Sequence, residues 1–227
     1  MLPAFFDKLK PSKESALGRS LERYKDSERP TRIGLIIDAT GSRADTWEHA
    51  QKTQLNLFGH LAKMNRLHLR LISFGGSNVS DFGWSKDPKE LGAKMASVRC
   101  RQGLTQYLQS LNRFLDEDGS DLQAIILIGD MFEEDEEEAN RLATICAERE
   151  IKLFCFLEGE DWLANDVFQR LASVTNGAFA KFEDGLFLND LCEGVRILVT
   201  KGPKALEHHG NKRVTRLLLP APTNRRT

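Results

Sequence analysis

Between Asp38 and Ser42 the chain reads Asp-Ala-Thr-Gly-Ser, an acid and two hydroxyls within five residues. Oxygen donors at this density suit a hard divalent cation such as Mg2+, which takes carboxylates, hydroxyls and water in preference to sulfur or imidazole. Directly before them Ile33, Leu35, Ile36 and Ile37 form an apolar run that stops abruptly at the acid. A second apolar run, Leu122 to Ile128, ends the same way, in Gly129 and Asp130. Between the two, Thr105 follows Gly103 at the head of a segment with helical spacing. A lone acid after a strand often only caps the next helix. Asp38, Thr40, Ser42, Thr105 and Asp130 together read as a cation site.

The elements that must position these residues are legible from periodicity. Continuous apolar runs bounded by turns read as buried strands of a parallel sheet, and open α/β sheets bind ligands outside the carboxyl ends of their strands. After the first strand, Trp47, Ala50, Gln54, Phe58 and Leu61 mark one face of a helix from about Ala44 to Asn65. Leu67 to Phe74 reads as a strand, Gly75 to Asn78 as a turn and Val79 to Trp84 as an antiparallel edge strand. Asp87-Pro88 opens a helix with Leu91, Met95 and Val98 inside. Another helix follows Gly103, carrying Tyr107, Leu108, Leu111 and Leu115. Past Asp130 the pattern predicts a helix to about Arg149, a strand at Lys152 to Leu157 and a helix at Trp162 to Val174. A strand at Ala178 to Phe182 and a helix at Leu186 to Thr200 follow. Alternating strands and helices define an α/β fold with a doubly wound, mainly parallel, Rossmann-like sheet, one antiparallel edge strand and helices on both faces. If the strands carrying Asp38 and Asp130 are neighbours, their acids meet where the strand order reverses.

Three segments are expected: a partly helical N-terminal arm at 1–31, a domain at 32–200 and a basic tail at 201–227, extended or disordered. The helix of the arm is placed at about Lys13 to Lys25, where Leu17, Leu21 and Tyr24 share a face. Charge follows this division. The first 32 residues carry net +3 and the last 27 net +6, which leaves the middle at −10 against an overall −1. An acidic body excludes nucleic acid as the core ligand, while either basic end could meet an acidic surface. Cys100, Cys146, Cys155 and Cys192 show no CxxC spacing and read as reduced, core-filling residues of a cytosolic protein. The N-terminus lacks the pattern of a signal peptide, and no run has the ~18 to 20 apolar residues of a membrane span. The expected location is cytoplasmic.

In order and approximate spacing, DATGS at Asp38 to Ser42, GLT at Gly103 to Thr105 and LIGD at Leu127 to Asp130 resemble the metal-ion-dependent adhesion site of von Willebrand factor type A (vWA) domains. LASVTNGAFAKFED, Leu171 to Asp184, resembles that family's penultimate helix, glycine turn and last strand. The resemblance covers roughly residues 32 to 200. Thr40 stands where the commoner residue is Ser and keeps the hydroxyl; Met131 stands where the family often has Gly. The resemblance implies hydroxyl donation by Thr40, Ser42 and Thr105, and carboxylates from Asp38 and Asp130 acting directly or through water. It implies Mg2+, with Mn2+ or Ca2+ as alternates, and a partner protein whose Asp or Glu fills the open coordination position. Family members inside cells serve alongside ATPases or in multi-protein assemblies.

Three functions compete at this stage. One is a non-enzymatic adaptor that docks a partner acid through the metal. Another is a vWA-like scaffold with a vestigial site, working through its surface and tails. The third, a Mg2+-dependent hydrolase using Asp38 and Asp130, lacks a nucleophile–base pair and a general-acid histidine near those acids. The run Glu133 to Glu138 reads as a solvated helix start favoured by the helix dipole. His49, His60, His68 and His208-His209 lack ligand spacing, Trp47 and Trp162 read as core anchors, and Gly75-Gly76 is a turn rather than a phosphate loop.

Overall fold

The computed structural model describes residues 31–45, 47, 67–116, 121–182, 185–208 and 210–219. The expected arm at 1–31, apart from Thr31, most of the helix at 44–65 and the end of the tail lie outside the described residues. So do His49, His60 and His209.

Six strands form one sheet in the order β3-β2-β1-β4-β5-β6. They are β1 (Thr31–Asp38), β2 (Leu67–Gly75), β3 (Asn78–Ser85), β4 (Leu122–Gly129), β5 (Lys152–Glu158) and β6 (Ala178–Phe182). Every pairing is parallel except β2 with β3, the antiparallel edge that the turn chemistry predicts. The chain leaves β1 toward β2 and β3 on one side and returns to β4 on the other. The strand order therefore reverses at the β1–β4 seam, as in doubly wound folds.

Successive side chains of a strand point to opposite faces, and β1 shows this directly. Ile33, Leu35 and Ile37 join one core while Ile36 joins the other. The first core is covered by α1 (Pro88–Ser97), through Leu91 and Met95, and by α5 (Gly185–Lys201), through Leu191, Cys192 and Val195. The second is covered by α2 (Tyr107–Leu115), α3 (Glu136–Glu148) and α4 (Trp162–Val174). Asp87, Asp135 and Asp161 cap α1, α3 and α4 by accepting from Lys89, Glu138 and Ala164 backbone N–H groups. Cys146, Cys155 and Cys192 are buried free thiols, as their spacing suggested, and Cys100 is half-buried and free.

Two expectations are corrected here. Between residues 203 and 218 the expected extended or disordered tail instead holds α6 (Pro203–Leu206) and α7 (Lys212–Leu218). Leu206, Val214 and Leu218 are buried in the first core. They reach it because α5 carries Gly194, where a β-carbon would lie 2.5 Å from Val214 and 2.6 Å from Leu218. Asn211 caps α7 through its side chain and also donates to Asp190 of α5 at 2.7 Å. The domain thus runs on to at least residue 219. The second correction is Trp162, expected as a core anchor but 76% exposed. It stands two residues before Ala164, which shares the inner face of α4 with Val167, Phe168 and Leu171, so helical geometry turns it outward. Trp47 is buried as expected, its indole N–H donating to the Val98 carbonyl at 3.4 Å.

Candidate metal centre

Asp38 closes β1 and is fully buried. Its register neighbours are Phe74 of β2 and, across the seam, the end of β4, where Ile37 pairs with Ile128. Gly129 and Asp130 therefore follow at the same level, and the two acids meet at the seam. Beyond Asp38 the chain is held by backbone pairing: Ala39 N–H donates to Phe74 O at 2.8 Å, and Arg101 N–H to Ala39 O at 3.0 Å. It then winds into a short 3-10 turn at Gly41–Arg43. Inside this loop Thr40 N–H donates to Asp38 Oδ1 at 2.7 Å, and the hydroxyls of Thr40 and Ser42 lie 3.1 Å apart. Thr40 is buried and Ser42 exposed, so the loop opens to solvent at its serine.

The other oxygen of Asp38 accepts from the Tyr107 hydroxyl at 3.3 Å. Tyr107 is wholly buried, edge-on to Phe74 and Phe168 and stacked on Phe132. A β-carbon at Gly129 would stand 1.7 Å from the Tyr107 oxygen and 2.9 Å from the Asp38 β-carbon. Only glycine at the end of β4 lets tyrosine and aspartate meet. Burial pushes the Asp38 carboxyl up to about 6 and the nearby Asp130 charge pushes the same way. Hydrogen bonds from Thr40 and the Arg43 charge oppose them. Burial likewise raises the Tyr107 phenol well above its ordinary value.

Thr105 stands two residues before α2, and its hydroxyl accepts from Glu133 N–H at 2.9 Å while its own N–H donates to the Glu133 carboxylate at 3.2 Å. Glu134 accepts from the N–H groups of Tyr107 and Leu108, at 2.6 and 3.0 Å, and so caps α2. Burial raises the Glu134 pKa against these bonds. The acidic run is thus only partly the solvated face expected of it. Its first two members tie the Thr105 loop to the Asp130 loop, because they lie before the helix rather than on it. Thr40 bonds both Asp38 and Ser42, Asp130 lies across the seam near enough for its charge to act on Asp38, and Thr105 is bonded to Glu133, three residues past Asp130.

Arg43 is the residue that sequence reasoning missed. Its side chain is 1% exposed. The guanidinium donates to the Asp38 carbonyl and, from Nε at 3.0 Å and Nη2 at 2.6 Å, to Glu158 Oε2, and it lies 5.5 Å from the Trp47 ring. Burial alone would lower its pKa, but Glu158 and Asp38 outweigh that and hold it above the ordinary value. Two signals were present in the sequence. Arg43 directly follows the hydroxyl loop, and Glu158 ends an apolar run, KLFCFLE, just as Asp38 and Asp130 end theirs.

A divalent cation fits these residues on two observations. Asp130 Oδ1 is buried and has no hydrogen-bond partner among the described residues, a costly state that a cation relieves. Asp38 and Asp130 are close enough that the charge of one raises the pKa of the other. Among the described residues no three His, Cys, Asp or Glu side chains cluster to hold a metal. An ion here would need the hydroxyl oxygens as well as the two acids. The Cys100 thiol is pushed up to about 11 by burial, and His68 lies at the other end of the sheet, paired in register with Arg32.

No protein-family model matches the sequence, and no curated protein matches it. Solved structures do. A von Willebrand factor type A protein from Catenulispora acidiphila superposes with a TM-score of 0.61 at 15% identity, over 77% of this chain and 43% of that one. This chain thus spans less than half the length of that protein. The VWA domain of SpRpn10 matches at 0.56 and 15% identity, over 67% of this chain and 88% of the other. The vWF domain of the type V pili tip protein Mfa5 from Porphyromonas gingivalis matches at 0.61 and 10%, over 75% and 96%. The fold is that of vWA domains.

Proposed function

We propose that this chain is a non-enzymatic protein–protein interaction module, an adaptor that binds an acidic side chain of a partner through a divalent cation, Mg2+ by preference. The observation that carries the reading is that Asp38 and Asp130 end neighbouring strands at the β1–β4 seam, near enough for one charge to act on the other, and that Asp130 Oδ1 is buried with no hydrogen-bond partner among the described residues. Ser42, Thr40 and Thr105 would offer neutral oxygens, and Asp38 and Asp130 carboxylates. Bound there, the cation supplies a coordination position for an incoming carboxylate. The likeness in fold to vWA domains, typically interaction or adhesion modules, supports a binding role over an enzymatic one. The surface around the site supports it too. Leu104 is 64% and Trp162 76% exposed, and Met131 is also exposed; Leu104 precedes α2, Met131 follows β4 by two residues, and Trp162 opens α4 just past β5. Exposed apolar residues grouped around a polar centre suit a protein partner. That partner is a protein with an accessible Asp or Glu, in the cytoplasm, such as an ATPase or a member of a larger assembly. Among the described residues no helix is long and apolar enough to cross a membrane.

The test is calorimetric titration of metal-stripped protein with Mg2+ and Mn2+, on wild type and on Asp38→Ala/Asp130→Ala. One saturable site, absent from the double variant, is the expected result. Titrations that look alike for both proteins would sink the metal reading. The second reading, a vWA scaffold whose metal site is vestigial, is favoured by one feature: the buried Arg43 guanidinium, a fixed positive charge beside both acids.

A further inference from the structure

We infer that the amino ends of β1 and β2, at the opposite end of the sheet from Asp38, hold a second binding site, built from Arg32, His68 and Lys86, for a phosphate monoester. Arg32 and His68 are register partners on neighbouring parallel strands. Lys86 follows Ser85, the antiparallel partner of Leu69, and so comes up beside His68. Like charges set side by side across strands repel. His68 registers the crowding: burial lowers its pKa, and the charges of Lys86 and Arg32 lower it further. The nearby acids are engaged elsewhere. Asp81 accepts from Arg70 Nε at 3.1 Å and Nη2 at 2.6 Å, and Asp87 accepts from the Lys89 backbone N–H. Asp121 precedes Leu122, the β4 partner of Arg32, but among the described residues it forms no ion pair with Arg32. Arg32 Nε is buried with no hydrogen-bond partner among the described residues, a costly state for a charged group.

Arg32 and His68 are half-buried and Lys86 is exposed, so an anion reaches the three from solvent. The Arg32 guanidinium lies 5.0 Å from the Trp84 ring, which meets Phe114 edge-on with centroids 6.2 Å apart. Phe114 in turn fills the space over Gly34, where a β-carbon would stand 2.6 Å from its ring. This aromatic floor holds the planar fork of Arg32 ready for paired bonds to two oxygens of one group. Lys86 adds a point charge. His68, neutral near pH 7, donates one ring N–H and takes up a proton once an anion offsets its two neighbours. A phosphate monoester brings about −1.5 to −2 charge and three acceptor oxygens, one set for each group. A carboxylate, with one charge and two oxygens, leaves one of the cations unanswered.

The experiment follows the His68 ring signals of the isotope-labelled full chain by NMR while inorganic phosphate replaces chloride at constant ionic strength. The protein has five histidines, and His68→Gln assigns the signals. Four proteins are compared: wild type, Arg32→Met, Lys86→Met, and Lys204→Met. The last removes an exposed charge from α6, which packs on the first core, whereas Arg32 and His68 share the face of Ile36 and Ile72 in the second. Wild type should show a saturable shift, with the His68 pKa higher in phosphate than in chloride. Arg32→Met and Lys86→Met should each bind about tenfold more weakly, as loss of a charged hydrogen bond does, and Lys204→Met as wild type. The Lys86 variant changes only an exposed side chain, so it keeps the test open even if Arg32→Met fails to fold. A phosphoserine peptide and glycerol phosphate, each against its unphosphorylated form, then tell a protein-borne ester from a free one; tighter binding of either phosphorylated form supports the site. His68 signals that ignore phosphate, equal binding by all four proteins, or an equal response to acetate would overturn the inference.

Discussion

Asp38 owes its chemistry to being buried between one group that bonds it and another that repels it. Tyr107 donates to one oxygen, and Asp130 raises the pKa from across the seam. Tyr107→Phe keeps the ring among Phe74, Phe132 and Phe168 and deletes only that hydroxyl. It should cost about 1 kcal/mol of stability and weaken Mn2+ binding roughly tenfold, as loss of a group orienting a ligand does; chemical denaturation and calorimetry read the two effects. The raised Asp38 pKa fixes the sign of a pH effect. Its folded value of about 6 lies above the ordinary 3.8, so the folded state binds the proton more tightly than the unfolded chain. Its contribution to stability is fully present below the unfolded pKa and is lost as pH rises through about 6, amounting to roughly 3 kcal/mol for such a shift. In metal-free protein, the difference in urea midpoint between wild type and Asp38→Asn should therefore move in favour of Asn between about pH 4 and pH 7. A difference that stays flat over that range would show that Asp38 titrates as it does in the unfolded chain.

Among the elements, the C-terminal helices matter more than their composition suggests. KRVTRLL carries three basic residues, yet Val214 and Leu218, one helical turn apart, are both buried against Gly194. Val214→Asp places a carboxylate where the native side chain has no exposure and should cost at least about 3 kcal/mol, read as a lowered urea midpoint. Arg213→Asp, on the exposed side of the same helix, should change it by less than about 0.5 kcal/mol. Equal effects would mean that α7 does not close the core. The acidic run divides on the same principle: Glu134 caps α2, Asp135 caps α3, and Glu138 pairs with Arg141 on the helix surface.

At the scale of the whole molecule, core and working surface separate by end of the sheet. Both cores are closed along the strands, while Asp38 and Asp130 and the Thr40 and Ser42 hydroxyls stand at or just past the strands' carboxyl ends. A ligand that binds only the folded state stabilises it by mass action. At a hundred times its dissociation constant, Mn2+ should raise stability by about 2.7 kcal/mol in wild type and by nothing in Asp38→Ala/Asp130→Ala. Trp162→Ala should leave stability within about 0.5 kcal/mol of wild type, because that ring is mostly in solvent. A larger loss would return Trp162 to the core that helical spacing denies it.

Sequence alone determined the strands and most of the helices and pointed to the candidate donors. Apolar runs that end in acids, turns rich in glycine and caps of aspartate are local signals, and from them the strands, their alternation with helices and the Asp38, Thr40, Ser42, Thr105 and Asp130 positions could be written down. Aspartate caps and apolar spacing are properties of a few neighbouring residues, so they survive without a fold. Tertiary structure decided the rest, because it depended on residues far apart in the chain. Glu158 lies 115 residues from Arg43, and Tyr107 lies 69 from Asp38, so neither partner could be chosen from spacing. The α7 stripe was hidden for the same reason: Val214 and Leu218 become one face of a helix only where the bare backbone of Gly194, in a different helix, gives them something to pack against. Local pattern set where oxygen donors stand, and the packing of distant elements set the charge around them.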